Sequence, residues 1–431
     1  MLYDNLTVNA QGHLAFAGFD ALALAGEFGT PLYLLDEGRL RHNCRLYTES
    51  MAAAFGPTAR PYYASKALCF TSIYPLLHSE GIGADVVSGG ELFTALRSGF
   101  PAADICFHGN NKTDAEIKYA MEAGVGYFII DNAEELAAVS AQAQRLGRRQ
   151  DVLLRLTPGI DPHTFAAVNT GKVDCQFGIP METGQALSFT GLALKTPSVT
   201  VRGFHCHIGS QIFEWVPFRD AADRMRDFIR QVRDTYGYTA EILDLGGGFG
   251  VRYVESDPTV DIAGSILRLG QHMCARCGEL GLALPTVWME PGRSIVADAG
   301  LTLYSVGSVK TIDGYRSYVS VDGGMTDNPR YALYKSAYTV YHAGRPADKA
   351  DFLCTVAGRC CESGALIQED VPLPRPKRGD VLAVAVTGAY NYAMASNYNR
   401  VGRLPIVLLG ANGPRLAVRR ETYEDLTRCD L

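Results

Sequence analysis

From Arg60 onward the chain repeats one pattern. A short apolar stretch rich in β-branched or aromatic residues is followed by a segment with apolar residues at helical spacing. The short stretches are RPYYAS (60–65), GADVV (83–87), DICFHG (104–109), GYFIID (126–131), DVLLRL (151–156), VRGFHCH (201–207), EILDLG (241–246) and PTVWME (285–290). Between them lie segments such as ELFTALRSG, DAEIKYAMEAG and NAEELAAVSAQAQRLG, with Gly99, Gly124 and Gly147 placed as helix stops. Strands that alternate with helices form a parallel sheet, because a parallel neighbour is reached only through a crossover. Eight strands in about 230 residues fit a closed (β/α)8 TIM-type barrel, which typically takes about 250. An open doubly wound sheet would carry a Gly-rich fingerprint after its first strand, and here that place holds Lys66.

After Ala299 the pattern changes. LTLYSVGSVKTI, YRSYVSVDGG, SAYTVYHAG, DVLAVAVTGAY and RLPIVLLG are turn-punctuated strands without intervening amphipathic helices, which predicts a β domain. The start, LTVNAQGHLAFAG, reads as a hairpin with a Gln-Gly turn, placed to join that β domain. The expected organisation is an α/β barrel over 36–298, with residues 1–35 and 299–431 forming a β-sandwich or barrel domain from both chain termini. VPLPRPKRGD (371–380) reads as a rigid Pro-rich connection. With Lys and Arg totalling 40 against 46 Asp and Glu, a net charge of −6 offers no surface for a polyanion, and nucleic acid is not expected as a partner. No apolar run is long enough to span a membrane, and the N-terminus lacks the basic and apolar regions of a secretory leader. Eleven cysteines scattered over 431 residues do not form a disulfide framework, so a reducing cytoplasm is expected. Cys274 and Cys277, a lone CxxC, read as incidental thiols, and no metal is expected.

A barrel places function at the C-terminal ends of its strands. Those ends here are rich in reactive side chains: Lys66, Asp85 leading to Ser88-Gly89-Gly90-Glu91, His207-Ile208-Gly209-Ser210-Gln211, Gly246-Gly247-Gly248-Phe249-Gly250 and Glu290-Pro291-Gly292-Arg293. A lysine behind an apolar strand is expected to be desolvated, which frees its amine for Schiff-base chemistry; a salt-bridged lysine is the plainer reading. The glycine run admits backbone N–H groups close to an anion, or simply packs tightly. Glu290 suits a pyridine nitrogen and Arg293 a phosphate or carboxylate, unless the two form a surface ion pair. His207 offers a stacking platform or an acid–base group, or a structural hydrogen bond. Together an amine, a platform, an anion cradle and an acid for a ring nitrogen are the parts of a pyridoxal-phosphate site. Cys361, in CCESG, adds a thiol able to return a proton to carbon, and Tyr390 a phenol.

The motifs PYYASKA, HIGSQ, LDLGGGFG, MEPGR, VDGGMTDNPRYALY, CCESG and GAYNYAMASNYN resemble, in order and spacing, those of the diaminopimelate decarboxylases, alanine-racemase-like pyridoxal-phosphate enzymes of the group IV decarboxylases. The resemblance runs from about Gly29 to Leu404. It implies pyridoxal 5'-phosphate as cofactor and a homodimer with shared active sites. It implies that Lys66 carries the cofactor, His207 stacks on it and Glu290 pairs with its pyridine nitrogen. Asp85, Ser210, Gly247, Gly248, Gly292, Arg293 and Tyr390 complete the cofactor set. Arg293, Arg330, Tyr334, Glu362 and Tyr390 match the substrate contacts, and Cys361 the proton donor, supplied with Glu362 by the other subunit.

The implied reaction is decarboxylation of meso-diaminopimelate to L-lysine and carbon dioxide, the last step of lysine biosynthesis. Arg330 would meet the distal carboxylate and Glu362 the distal ammonium, whereas a substrate ending in an ammonium alone would be repelled by Arg330. The rivals are a related decarboxylase acting on another carboxylate-bearing or carrier-tethered amino acid, and an amino-acid racemase, which keeps the carboxylate. Two departures bear on substrate preference: Ala365 stands where the family commonly has Asp, and Phe165 and Gln176 replace commoner polar or basic residues.

Overall fold

The computed structural model describes residues 1–160 and 174–431. The chain divides into two compact units: Cys44–Gly250 with Thr259–Gly292, and Met1–Asn43 with Val251–Pro258 and Arg293–Leu431.

The first unit is the closed parallel barrel. Its strands are β1 (Arg60–Ala64), β2 (Gly83–Val86), β3 (Ile105–Phe107), β4 (Tyr127–Ile130), β5 (Gln150–Thr157), β6 (Val199–His205), β7 (Ile242–Asp244) and β8 (Thr286–Met289). Each pairs in parallel with the next, and β8 closes on β1 through Trp288 opposite Arg60 and Met289 opposite Pro61. All eight expected strands are present. A short strand, Ile179–Pro180, adds to β5 outside the ring.

The helices between them start and stop where local chemistry dictates. Thr113 and Glu116 form a capping box on helix Asp114–Ala123, Asn132 caps Ala133–Arg145, and Ser88 caps Gly89–Arg97. Gly124 provides the left-handed end of the first of these at φ +83°.

Side chains alternate in and out along a strand, so residues two apart share the barrel interior. Tyr62, Cys106, Ile129, Leu153, Ile242 and Trp288 form one buried apolar cluster. Two residues further along five of these strands stand His108, Asp131, Arg155, Asp244 and Glu290. An ionisable layer thus lies on an apolar one, at the C-terminal end of the barrel.

The second unit is built on a nine-stranded sheet. Its long strand, Gly300–Ile312, pairs over its first half with Leu32–Asp36 and Val381–Ala385, and over its second half with Arg316–Val321. Leu32–Asp36 also pairs in parallel with Ile406–Gly410, so segments near both chain ends meet in one sheet. The N-terminal hairpin forms (Leu6–Val8 with Leu14–Phe16), but it makes its own three-stranded sheet with Phe19–Asp20 instead of extending the larger one. Val371–Leu373, expected in the Pro-rich loop, ends strand Leu366–Leu373. That strand lies at a sheet edge, where Pro372 costs no ladder bond.

Trp288, nearly fully buried, packs tilted against Tyr62 at 4.6 Å and edge-on against Tyr127 at 4.9 Å between ring centroids. Trp288→Ala is expected to cost about 3–5 kcal/mol, read as a lower urea midpoint at unchanged m value.

Candidate active site

The barrel's C-terminal end gathers ionisable groups from every strand. They are Lys66 after β1, Asp85 in β2, His108 after β3, Asp131 after β4, Arg155 in β5, His205 and His207 at the end of β6, Asp244 in β7 and Glu290 after β8.

Glu290 stands at the centre of the network. It is 7% exposed, and its backbone N–H donates to Gly246 O at 2.9 Å. His205 Nε2 hydrogen-bonds its Oε2 at 3.0 Å. His108 Nε2 approaches Oε1 to 2.7 Å but without hydrogen-bond alignment, so Oε1 remains without a hydrogen-bond donor among the described residues. Burial alone would raise this carboxyl, but His108 and His205 outweigh it and hold it well below the ordinary range.

Its acidic neighbours move the other way. Burial, reinforced by Glu290, pushes Asp244 well up, and burial and Glu290 push Asp85 to about 6 against the pull of His108 and Lys66. Asp244 Oδ1 accepts from Gly246 N at 2.8 Å. The ligand atoms of His108, His205 and Glu290 lie within 4.8 Å of one another, a spacing that a cation can bridge; here the His205–Glu290 hydrogen bond occupies that pair directly.

The expectation of a desolvated Lys66 does not hold. The strand ends at Ala64, the chain turns through Ser65–Ala67, and the Lys66 side chain is exposed.

His207 is half-buried. Burial, with the charges of Lys66 and Arg155, holds its imidazole well below its ordinary value, and Nδ1 accepts from Gly247 N at 3.3 Å, leaving the proton on Nε2. The loops after β6 and β7 are zipped together: Ile212 N donates to Gly248 O and Gly250 N to Ile212 O, which sets Ser210 beside the glycine run. The run is also packed tightly, since a Cβ on Gly247 would lie 2.1 Å from the Glu290 carbonyl oxygen. Gly292 stands against Ala64 and Ala67, directly behind the Lys66 turn.

The sheet unit carries a second group. Arg293 is buried, donates to Tyr253 Oη at 2.8 Å and sits 4.8 Å from the Tyr390 ring. Arg330 is buried among the faces of Tyr253, Tyr334 and Tyr390 at 5.9, 5.6 and 5.6 Å, and its Nε has no hydrogen-bond partner. Among the described residues Arg330 forms no ion pair.

Cys361 and Glu362 are exposed on the turn between strands Phe352–Ala357 and Leu366–Leu373, with Cys361 N donating to Asn399 Oδ1. Ala365 is buried at the base of this turn, so its side chain is not presented on the surface of this chain as a loop carboxylate would be. Gln176 is exposed, and Phe165 lies outside the described residues.

Sequence reasoning missed His108, His205, Arg155 and Asp244. The signal was present: each lies at a barrel strand's C-terminal end, and His108, Arg155 and Asp244 lie two residues past an apolar core position.

Comparison with known proteins places this geometry. Residues 38–297 match the family described as "Pyridoxal-dependent decarboxylase, pyridoxal binding domain". The diaminopimelate decarboxylase of Bacillus subtilis (strain 168) is 43% identical over 423 residues, covering 98% of this chain and 96% of that protein. A crystal structure of diaminopimelate decarboxylase from M. jannaschii in co-complex with L-lysine matches with TM-score 0.93 at 34% identity, covering 99% of this chain and 98% of that one. A lysine/ornithine decarboxylase from Vibrio vulnificus complexed with putrescine matches with TM-score 0.76 at 25% identity, over 90% and 97%.

Asp85 provides a test of the network. Its carboxyl rises from 3.8 to about 6 on folding, so its stabilisation is complete below about pH 4 and is lost as pH rises through about 6. Asp85→Asn, permanently neutral, should match the cofactor-free wild type below about pH 4 and exceed its stability by up to about 3 kcal/mol above about pH 7. Parallel urea midpoints across that range would contradict this.

Proposed function

The chain belongs to the pyridoxal-dependent decarboxylases, and from that premise we infer that it decarboxylates meso-diaminopimelate to L-lysine and carbon dioxide, the last step of lysine biosynthesis. The observation that carries the choice of substrate is Arg330. A buried guanidinium that forms no ion pair among the described residues, walled by tyrosine faces, calls for an anionic partner. The distal carboxylate of diaminopimelate supplies one; ornithine and lysine offer only an ammonium. The stronger match to the diaminopimelate decarboxylase structure than to the lysine/ornithine decarboxylase supports the same choice.

The residues of the barrel end fit pyridoxal phosphate. Glu290 is an ionised, buried carboxylate with one oxygen lacking a hydrogen-bond donor, suited to a pyridine N–H. When bound, the cofactor supplies the electron sink for cleavage of the Cα–carboxylate bond.

Lys66 would hold the cofactor through its amine, for which an exposed side chain suffices. Glu290 keeps the ring nitrogen protonated, with Asp85 beside it. His207, neutral, would offer its flat face to the ring. Ser210, Gly247, Gly248 and Gly292 would hold the phosphate on the barrel side, and the family resemblance adds Arg293 and Tyr390 to the phosphate contacts. Arg330, with Tyr334, takes the distal carboxylate, and Glu362 the distal ammonium.

Cys361 delivers a proton to Cα once carbon dioxide has left. Its exposure, with that of Glu362, suits a homodimer in which this turn serves the site of the neighbouring subunit. All eleven cysteines are free, and a working thiol needs a reducing compartment, which supports a cytoplasmic enzyme. No helix among the described residues is long and apolar enough to cross a membrane.

Carbon dioxide release measured from meso-diaminopimelate, ornithine, arginine and glutamyl derivatives tests the reading: release from diaminopimelate is expected, and its absence would overturn the assignment. Lys66→Ala is expected to abolish both turnover and the visible absorbance of lysine-bound cofactor. Arg330→Gln should raise KM for diaminopimelate about a hundredfold, the scale of removing one partner of a buried charge pair.

A further inference from the structure

Three features lay outside the proposed chemistry. One is the fully buried Lys112, whose Nζ donates to Gly109 O, Ile129 O and Glu135 Oε1; its partners satisfy it completely. Another is Asp327, which accepts from Tyr304 and Gly324 within the sheet unit and is likewise enclosed. The third is the histidine pair behind Glu290, and it reaches a group that the chemistry uses.

We propose that His205 is a positioning residue that fixes Glu290 through Oε2 and thereby reserves Oε1 for the ring nitrogen of the cofactor. This rests on the cofactor reading above.

His205 closes β6 with no exposed surface, and its Nε2 lies 3.0 Å from Glu290 Oε2. Its Nδ1 is buried without a hydrogen-bond partner. A proton on Nδ1 would be an orphaned donor, whereas a proton on Nε2 is donated to a carboxylate, so the geometry selects the Nε2–H tautomer. Burial, outweighing the pull of Glu290, holds the ring below its ordinary value and keeps it neutral. His108 packs edge-on against the same ring, 5.0 Å between centroids at 72°, and its Nε2 lies 2.7 Å from Oε1 without hydrogen-bond alignment, so it adds charge stabilisation there while Oε1 keeps its place for a donor.

The arrangement matters because Glu290 has competitors for its proton. Facing it are Asp85 from β2, Cys106 and His108 from β3, Cys206 and His207 from β6 and Asp244 from β7, with the charges of Lys66 and Arg155 nearby. A Glu290 that lost its donor could rotate toward Asp244 or take up a proton, and a neutral carboxyl cannot hold a pyridinium. His205 prevents both by occupying Oε2.

The test compares pyridoxal-phosphate-loaded wild type with His205→Gln, His205→Asn and His205→Met. Gln carries an amide donor to the place of Nε2, Asn only to that of Nδ1, and Met carries none. The readouts are the dissociation constant of pyridoxal phosphate from cofactor-free protein, the pH titration of the visible absorbance, and the split of kcat from KM.

We expect His205→Asn and His205→Met to weaken cofactor binding about ten- to a hundredfold, the scale of a lost hydrogen bond to a charged group. Their absorbance titration should be displaced, and kcat should fall with KM little changed. His205→Gln should restore all three. Asn and Gln are both small neutral amides, so the comparison stands even where Met fails to fold. An Asn variant that titrates and holds cofactor like wild type, or a Gln variant as impaired as Asn, would overturn the proposal. A wild-type chain that takes up no cofactor would overturn the function reading itself, and this inference with it.

Discussion

The barrel's C-terminal end depends on keeping one carboxylate ionised where water does not reach it. An uncompensated buried charge costs several kcal/mol, and burial by itself would neutralise Glu290. His205 and His108 reverse that outcome, one by a hydrogen bond and the other by close approach. The cost is transferred to the neighbours. Asp85 and Asp244 lie in the same enclosed space, and both are pushed toward their protonated forms. Acids sharing a site cannot all ionise, so their environments sort them: one anion that can oppose a pyridinium, and two groups that keep their protons over part or all of the neutral range.

That sorting needs a dry floor, and the strand period provides it. Cys106, Ile129, Leu153, Ile242 and Trp288 pack beneath His108, Asp131, Arg155, Asp244 and Glu290 because residues two apart share the barrel interior. A low-dielectric layer strengthens every electrostatic interaction above it. The apolar plug therefore sets the pKa pattern as much as the charged residues do, and a substitution at Trp288 acts on both layers. Lys112, in the loop after β3, and Glu135, in the first turn of helix Ala133–Arg145, form a buried pair that follows the same logic: the ammonium donates to Gly109 O, Ile129 O and Glu135 Oε1, and Glu135 Oε2 accepts from Asp131 N.

The barrel was legible in the sequence because its evidence is local: eight apolar runs and capped amphipathic helices. The N-terminal hairpin was legible for the same reason, but not that its free edge pairs with the adjacent Phe19–Asp20 instead of a strand of the larger sheet, a choice settled by tertiary packing. Glu290 and His207 drew notice through the motifs around them. His205 did not, although it stands two residues before His207, because its contact with Glu290 forms only once β6 and β8 are set on either side of β7 in the ring. Lys66 misled in the other direction. Its apolar strand argued for burial, but the strand stops two residues short and the turn leaves the side chain exposed. The burial of Ala365 at the base of the turn was not legible, because it depends on how the turn packs.

The residues proposed for substrate selection obey a different constraint from those that tune the cofactor. Arg293 and Arg330 share the faces of Tyr253 and Tyr390, so two cations are held beside the same pair of rings. Like charges so placed repel, and aromatic faces offset that only in part. An anion held by either guanidinium would relieve the repulsion felt by the other. A substrate ending in an ammonium would add a third positive charge to the same neighbourhood. The proposed discrimination between a distal carboxylate and a distal ammonium would thus rest on an electrostatic imbalance within the sheet unit itself.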